Sequence, residues 1–308
     1  MTVAEPTLPS WREGPTREAV LGFLAAADGL PVSERVAAFD NDGTLWCEKP
    51  TYVQYDFFED ALRQALSVDP DIGRQPEYAA VLDGDAAAMA TLGLPRIALA
   101  LADLFTGLEP EAFTARVREF MARARHRTLG RPFGTTVYQP MLELLKELRR
   151  HRFTIFLVSG GGTEFVRAIS SDLYAVAPEA VVGTLVDYEF SRRKDGRPVL
   201  RRTGGVQGPA NEGPAKVNHI QSHLGRRPIL GVGNSGGDRE MLEWACAGDG
   251  PGLALLVDHD DDEREFRYVS EAGTFTESEP ITAVAARLGW TVISMARDWS
   301  TIFPHAVG

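Results

Sequence analysis

Asp40 and Asp42 stand two residues apart at the end of a short apolar run, Val36–Phe39. Apolar residues in series, without polar alternation, are the pattern of a parallel strand buried on both faces. Carboxylates at the end of such a strand are costly to desolvate unless something compensates them. A divalent cation is the simplest answer. Oxygen ligands suit Mg²⁺, which tends to combine one or two carboxylates with substrate phosphate. Gly43 follows, at a turn that a side chain would obstruct. The bland alternative is a strand that ends in an ordinary Asp-Gly turn.

Other polar residues sit in similar places. Ser159 ends a second apolar run, Phe153–Val158, and precedes Gly160, Gly161 and Gly162. Its hydroxyl and the free N–H groups of that turn could hold a phosphate, or could simply start a helix. Lys216 falls in the first turn of a helix opened by Pro214. The helix dipole disfavours a cation there, which suggests a purpose; a solvated lysine is the other reading. Asn234 and Asp238, split by Ser-Gly-Gly, follow a third apolar run, Ile229–Val232. They offer oxygen ligands on a loop, or else a capping Asn and an exposed Asp.

The elements that must position these groups alternate. Helical spacing at Met141, Leu144, Leu145 and Leu148, at Phe165, Val166, Ile169 and Leu173, and at Val217, Ile220 and Leu224 separates the apolar runs. A fourth run, Leu253–Val257, continues the series, and residues 181–203 predict a hairpin turning at Asp195-Gly196. Strands alternating with helices predict an α/β fold: a doubly wound, Rossmann-like parallel sheet with helices on both faces. Residues 52–130 differ. Phe58, Leu62, Leu66 and Phe113, Val117, Phe120, Met121 repeat at helical spacing with no strand pattern between them. This predicts a helical cap inserted after the first strand, over 52–130, on a core of 35–51 and 131–308. Residues 1–34 are an N-terminal extension with one helix, capped by Thr16; its first fifteen residues, with three prolines, should wander over the surface. The tail from 271 carries a helix signal and an apolar run at 291–295 that the pattern does not place.

The 308 residues are enough for a sizeable core, and 44% hydrophobic with 24% charged is ordinary globular composition. A net charge of −11 and a pI of about 5.1 argue against nucleic acid or an anionic membrane surface as partner. Two cysteines, Cys47 and Cys246, do not make a disulfide framework and fit a reducing compartment. With no signal-peptide pattern and no run of about 20 apolar residues, the expected location is cytoplasmic. Oligomeric state is not readable.

The polar groups together resemble a known family. Asp40-Asn41-Asp42-Gly43-Thr44 resembles the Asp-x-Asp-x-Thr signature of the haloacid dehalogenase-like phosphohydrolases. Val158-Ser159 resembles the second motif, Lys216 the lysine of the third, and Gly233-Asn234 with Asp238 the acidic fourth. The Ser-Gly-Gly after the second strand and the helical insertion look most like the phosphoserine phosphatase branch. There are departures: Asn234 stands where an aspartate is common, and Asn41 where an apolar residue is common.

The resemblance implies an Mg²⁺-dependent phosphatase acting on a small phosphorylated metabolite. Asp40 would be the nucleophile that becomes an aspartyl-phosphate. Asp42 would protonate the leaving oxygen, then deprotonate water. Thr44 and Ser159 would bind the transferring group, and Lys216 would neutralise it. The metal would rest on Asp40, Asp42, Asn234 and Asp238. Gly160, Gly161 and Glu48 would meet substrate; in that branch a glutamate contacts a substrate ammonium, although Glu48 lies one residue closer to the first motif. A phosphotransferase would share every motif, a dehalogenase would lack Asp42, and a non-catalytic phospholigand-binding protein would have lost Asp40. The aromatics Trp46, Tyr52, Tyr55 and Phe57 could face a quaternary ammonium, but packing is the commoner use. The basic run Arg116–Arg131 and the acidic run Asp258–Glu263 read as solvated surface.

Overall fold

The apolar runs form the middle of one sheet. A computed structural model describes residues 6–304. The helix α1 (Pro15–Ala27) leads to the strand β1 (Val36–Phe39), buried along its whole length. Between β1 and the next strand the chain is helical: α2 (Val53–Val68), α3 (Pro76–Asp83), α4 (Ala86–Leu92), α5 (Leu94–Asp103), α6 (Pro110–Arg123) and α7 (Gln139–Arg150). The breaks fall at Gly84 and Gly93, both with positive φ, where a side chain would be strained. Next come β2 (Thr154–Gly162), α8 (Thr163–Tyr174), β3 (Val181–Arg192), β4 (Pro198–Gln207) and α9 (Pro214–Leu224). The chain ends with β5 (Leu230–Gly233), α10 (Arg239–Ala245), β6 (Leu253–Asp258), α11 (Ile281–Leu288), β7 (Thr291–Ser294) and α12 (Met295–Asp298).

The seven strands lie in the order β4-β3-β2-β1-β5-β6-β7. All neighbours are parallel except the β3–β4 hairpin. This is the doubly wound α/β sheet that the alternation predicts. The chain winds outward from β1 through β2 on one side and through β5 on the other. The end of β1 is therefore the switch point, where open α/β sheets leave a crevice for ligands.

The helices between β1 and β2 pack around phenylalanines. Phe57 lies 5.2 Å from Phe105, 5.7 Å from Phe113 and 5.5 Å from Phe120 between ring centroids. Phe165 of α8 joins them at 5.6 Å. Main-chain bonds tie this helical stretch to the hairpin: Gly107 N–H donates to Arg202 O at 2.8 Å and Arg202 N–H to Leu108 O at 2.9 Å.

Several surface expectations are corrected. Of the first fifteen residues, 1–5 lie outside the described ones, and 6–14 do not wander. Leu8 and Trp11 are buried, and the Trp11 Nε1–H donates to Pro140 O at 2.9 Å. A few isolated contacts, Leu8 and Trp11 among them, anchor this stretch, so it has no periodicity to read. Thr16 does not cap α1; Pro15 takes the first helical position, which suits its fixed φ, and the Thr16 hydroxyl donates to Asp298 at 3.0 Å. The run at 291–295 contains the edge strand β7, too short for periodicity to reveal. The acidic run is not simply solvated: Asp260 accepts the Ser294 hydroxyl and the Ala296 N–H, and Asp261 accepts the Arg264 N–H. In the basic run, Arg123 pairs with Asp60, and Arg127 with Asp56 and Glu59.

Candidate active site

Asp40 is the first residue after β1, and its N–H donates to Val232 O of β5 at 2.9 Å. Lys216 is buried in the first turn of α9, not solvated. Its ammonium reaches Asp40 Oδ1 at 2.6 Å, Asp238 Oδ1 at 2.5 Å and Val158 O at 2.8 Å. All three of its protons are engaged. Burial works against the charged lysine, but Asp238 and Asp40 outweigh it and hold the ammonium above its ordinary range. Asp238 is no exposed loop residue. Its Oδ2 accepts the N–H groups of Asn234 and Ser235, each at 3.0 Å. A Cβ on Gly233 would fall 2.5 Å from the Asp238 Cβ, so only glycine ends β5 this way.

Asp42 faces the other side of the same point and is partly open to the cavity above. Trp46 Nε1–H donates to its Oδ1 at 2.9 Å; Asn41 Nδ2 and the Ser159 hydroxyl approach its Oδ2 at 3.4 and 3.5 Å. Burial pushes its carboxyl above the usual carboxylate range, against these donors. A carboxyl so placed can carry a proton and give it up, as a general acid must. Asn41, unexplained by sequence, thus flanks Asp42; its buried Oδ1 has no partner.

The buried Thr44 hydroxyl lies 3.5 Å from Asp40 Oδ2 and 3.3 Å from Asn234 Oδ1. Asn234 Nδ2 donates to Glu48 Oε1 and to the Ser270 hydroxyl, both at 3.2 Å. Glu48 Oε1 also accepts the Tyr268 hydroxyl at 2.8 Å, while Glu48 remains on the cavity wall.

The glycine turn differs from expectation. β2 continues through Gly162, and α8 starts only at Thr163. Gly160 and Gly161 line the cavity, but two N–H groups expected to be free are taken: Gly161 donates to Ser159 Oγ at 3.0 Å and Gly162 to Gln54 Oε1 at 2.9 Å. The glycines serve close approach: a Cβ on Gly161 would lie 2.8 Å from Gln54 Oε1 and 3.2 Å from Ser159 Oγ. Gln54, Trp46, Tyr268 and Asn211, whose Nδ2 holds Ser159 O at 2.9 Å, were not singled out for these contacts. Their partners lie on other elements, and no local spacing marks them.

The donor set fits a hard cation. Among the described residues no three Asp, Glu, His or Cys side chains converge as a metal site. Asp40 Oδ2 and Asn234 Oδ1 nevertheless both meet Thr44 Oγ1, and both are oxygens of the kind Mg²⁺ accepts. Asp40 and Asp238 share one ammonium, so the buried charge is unbalanced. Burial and Asp238 push the Asp40 carboxyl up against Lys216, and a cation would relieve that. Asp238, with both oxygens engaged, would orient the site from behind.

A family model for haloacid dehalogenase-like hydrolases matches residues 37–243. The chain belongs to the haloacid dehalogenase-like hydrolases. A search of curated proteins finds no sequence match. Among solved structures, a protein of unknown function from Bordetella pertussis Tohama I matches at TM-score 0.53 with 16% identity, over 84% of this chain and 98% of that one. A functionally unknown protein from Anaerococcus prevotii matches at 0.53 with 14% identity, over 90% and 100%. A probable phosphoserine phosphatase from Vibrio cholerae is also among the matches, with TM-score 0.42 and 13% identity, over 90% and 73%. What this hydrolase shares with the first two is the fold.

The hydrogen bond from Asn234 to Glu48 makes one variant informative. Asn234→Asp should lower thermal stability without metal, because two carboxylates would then face each other. With Mg²⁺ it should recover and bind about 1–2 kcal/mol more tightly, what is left of roughly 4 kcal/mol between unit charges at an effective dielectric near 20 once solvation takes back part of it. Asn234→Ala should weaken Mg²⁺ binding. Melting curves against Mg²⁺ check both; unmoved titrations in both variants would remove residue 234 from the metal site.

Proposed function

We propose that this hydrolase is an Mg²⁺-dependent phosphatase that cleaves a phosphomonoester through an aspartyl-phosphate on Asp40. One observation carries the reading: Asp40, held by Lys216, and Asp42, its carboxyl kept protonatable, face the same cavity at the sheet's switch point. In the first step an Asp40 oxygen bonds to phosphorus as the ester P–O bond breaks, and the Asp42 proton passes to the leaving alkoxide. In the second, a water attacks phosphorus, its proton goes to Asp42, and the acyl-phosphate bond breaks to restore Asp40. Thr44 and Ser159 donate to the transferring oxygens, and Lys216 offsets their charge. Asp40, the Asp42 carbonyl and Asn234 would hold the metal, with Asp238 behind them. A bound Mg²⁺ would supply charge stabilisation for the incoming phosphate. In this reading residues 52–130 are a lid over a core of 35–51 and 131–308, since α2 and α5 line the cavity. The substrate is then a phosphorylated metabolite.

Phosphate release from a panel of phosphomonoesters tests this. Turnover should require Mg²⁺ and vanish in excess EDTA. No release from any ester, or full activity after demetallation, would overturn the reading.

A further inference from the structure

The cavity over the carboxylates has a volume of about 830 Å³, near the upper end of the range of small-molecule sites. Its floor is polar: Asp40, Asp42, Lys216 and Asn234. Its upper walls come from α2, α5, the β3–β4 hairpin and the loop before α11, and they are largely apolar. Tyr52, Leu99, Val206 and Phe275 lie on these walls and remain 39%, 43%, 38% and 43% exposed. Large apolar side chains left open around one concave space mark a binding surface.

The charges in the wall sharpen the choice of ligand. Among the described residues its cations are Lys216 and Arg202. Lys216 is engaged by the two aspartates. Arg202 is buried, paired with Glu164, and its guanidinium sits 4.0 Å from the Phe113 ring centroid. The Arg202 Nε–H has no hydrogen-bond partner, but the charge of the guanidinium is already matched by Glu164, so neither cation has charge to spare for a second anionic group. Glu48, Glu212 and Glu271 also line the space, and they would repel one.

Resting on the phosphatase reading, we infer that the organic half of the substrate is a long apolar alcohol: the site takes alkyl-type phosphate monoesters in preference to phosphorylated amino acids or sugar acids. The phosphate sits on the floor, and the chain lies along the cavity wall past Leu99 of α5 and Val206 of the hairpin. Each methylene that enters the walls leaves water and favours the bound state.

The test is a series of straight-chain phosphates, from ethyl to decyl, with O-phosphoserine alongside, assayed with Mg²⁺. kcat/KM should rise about fourfold per methylene until the walls are filled, and O-phosphoserine should fall below hexyl phosphate. Leu99→Asp and Val206→Asp, at positions exposed enough to tolerate a charge, should flatten the rise. Binding of the same series to Asp40→Asn by calorimetry should follow the same trend. Turnover without chain-length dependence, or a preference for O-phosphoserine, would overturn this inference and leave the phosphatase reading standing. No turnover of any ester would overturn that reading, and binding that ignores chain length would then overturn the inference as well.

Discussion

Replacing Asp40 with asparagine should abolish turnover, by at least about a thousandfold, or about 4 kcal/mol of barrier. The amide keeps the shape of the carboxylate but is not a nucleophile able to form an acyl phosphate. The fold should survive. The amide oxygen can still accept from Lys216, now 2.6 Å from Asp40 Oδ1. Removing one carboxylate also leaves Lys216 matched with Asp238 alone, so the thermal midpoint without metal should not fall. A purified, folded variant with more than a trace of activity would show that Asp40 is not the nucleophile.

Lys216→Met should damage both stability and activity. The ammonium is buried between two carboxylates and a main-chain carbonyl. Removing the one cation of such a cluster costs about 3–5 kcal/mol, because two like charges then stay buried without a counter-ion. The folded ammonium has a pKa above its ordinary value of 10.5. Its contribution is therefore fully present below that ordinary value and is lost only as the pH rises through the folded value. In the variant, Asp40, already pushed up by burial and by Asp238, loses the ammonium that opposes the shift and favours the protonated form still more strongly. Its deficit against the wild type should narrow as the pH falls through the carboxylate range. Denaturant melts in EDTA across that range measure this; a deficit independent of pH would show that packing, not charge, is what Lys216 supplies.

Much of the site was legible because the fold concentrates it at strand ends. Asp40, Ser159 and Asn234 each follow an apolar run, and parallel strands bring such positions together. Lys216 was legible for the opposite reason: it sits where a helix dipole disfavours it, and two aspartates explain why. What stayed hidden depends on contacts between distant elements. The hold of Trp46 on Asp42 needs the tight turn at Gly43, where a Cβ would lie 2.0 Å from Asn234 Nδ2. Gln54 meets Gly162 only because α2 folds over the end of β2. Tyr268 reaches Glu48 from the loop before α11. Likewise the order of residues 6–14 rests on Trp11 meeting Trp299, with ring centroids 6.1 Å apart. None of these pairs leaves a periodic mark.

The central claim is a covalent phosphoryl group on Asp40. Rapid quenching of the enzyme in acid during turnover of a phosphomonoester with Mg²⁺, followed by peptide mass spectrometry, reads it directly. A phosphoryl adduct should appear on the peptide carrying Asp40, be removed by hydroxylamine and be absent from Asp40→Asn. Rapid turnover with no adduct at any quench time, or an adduct on another residue, would contradict it.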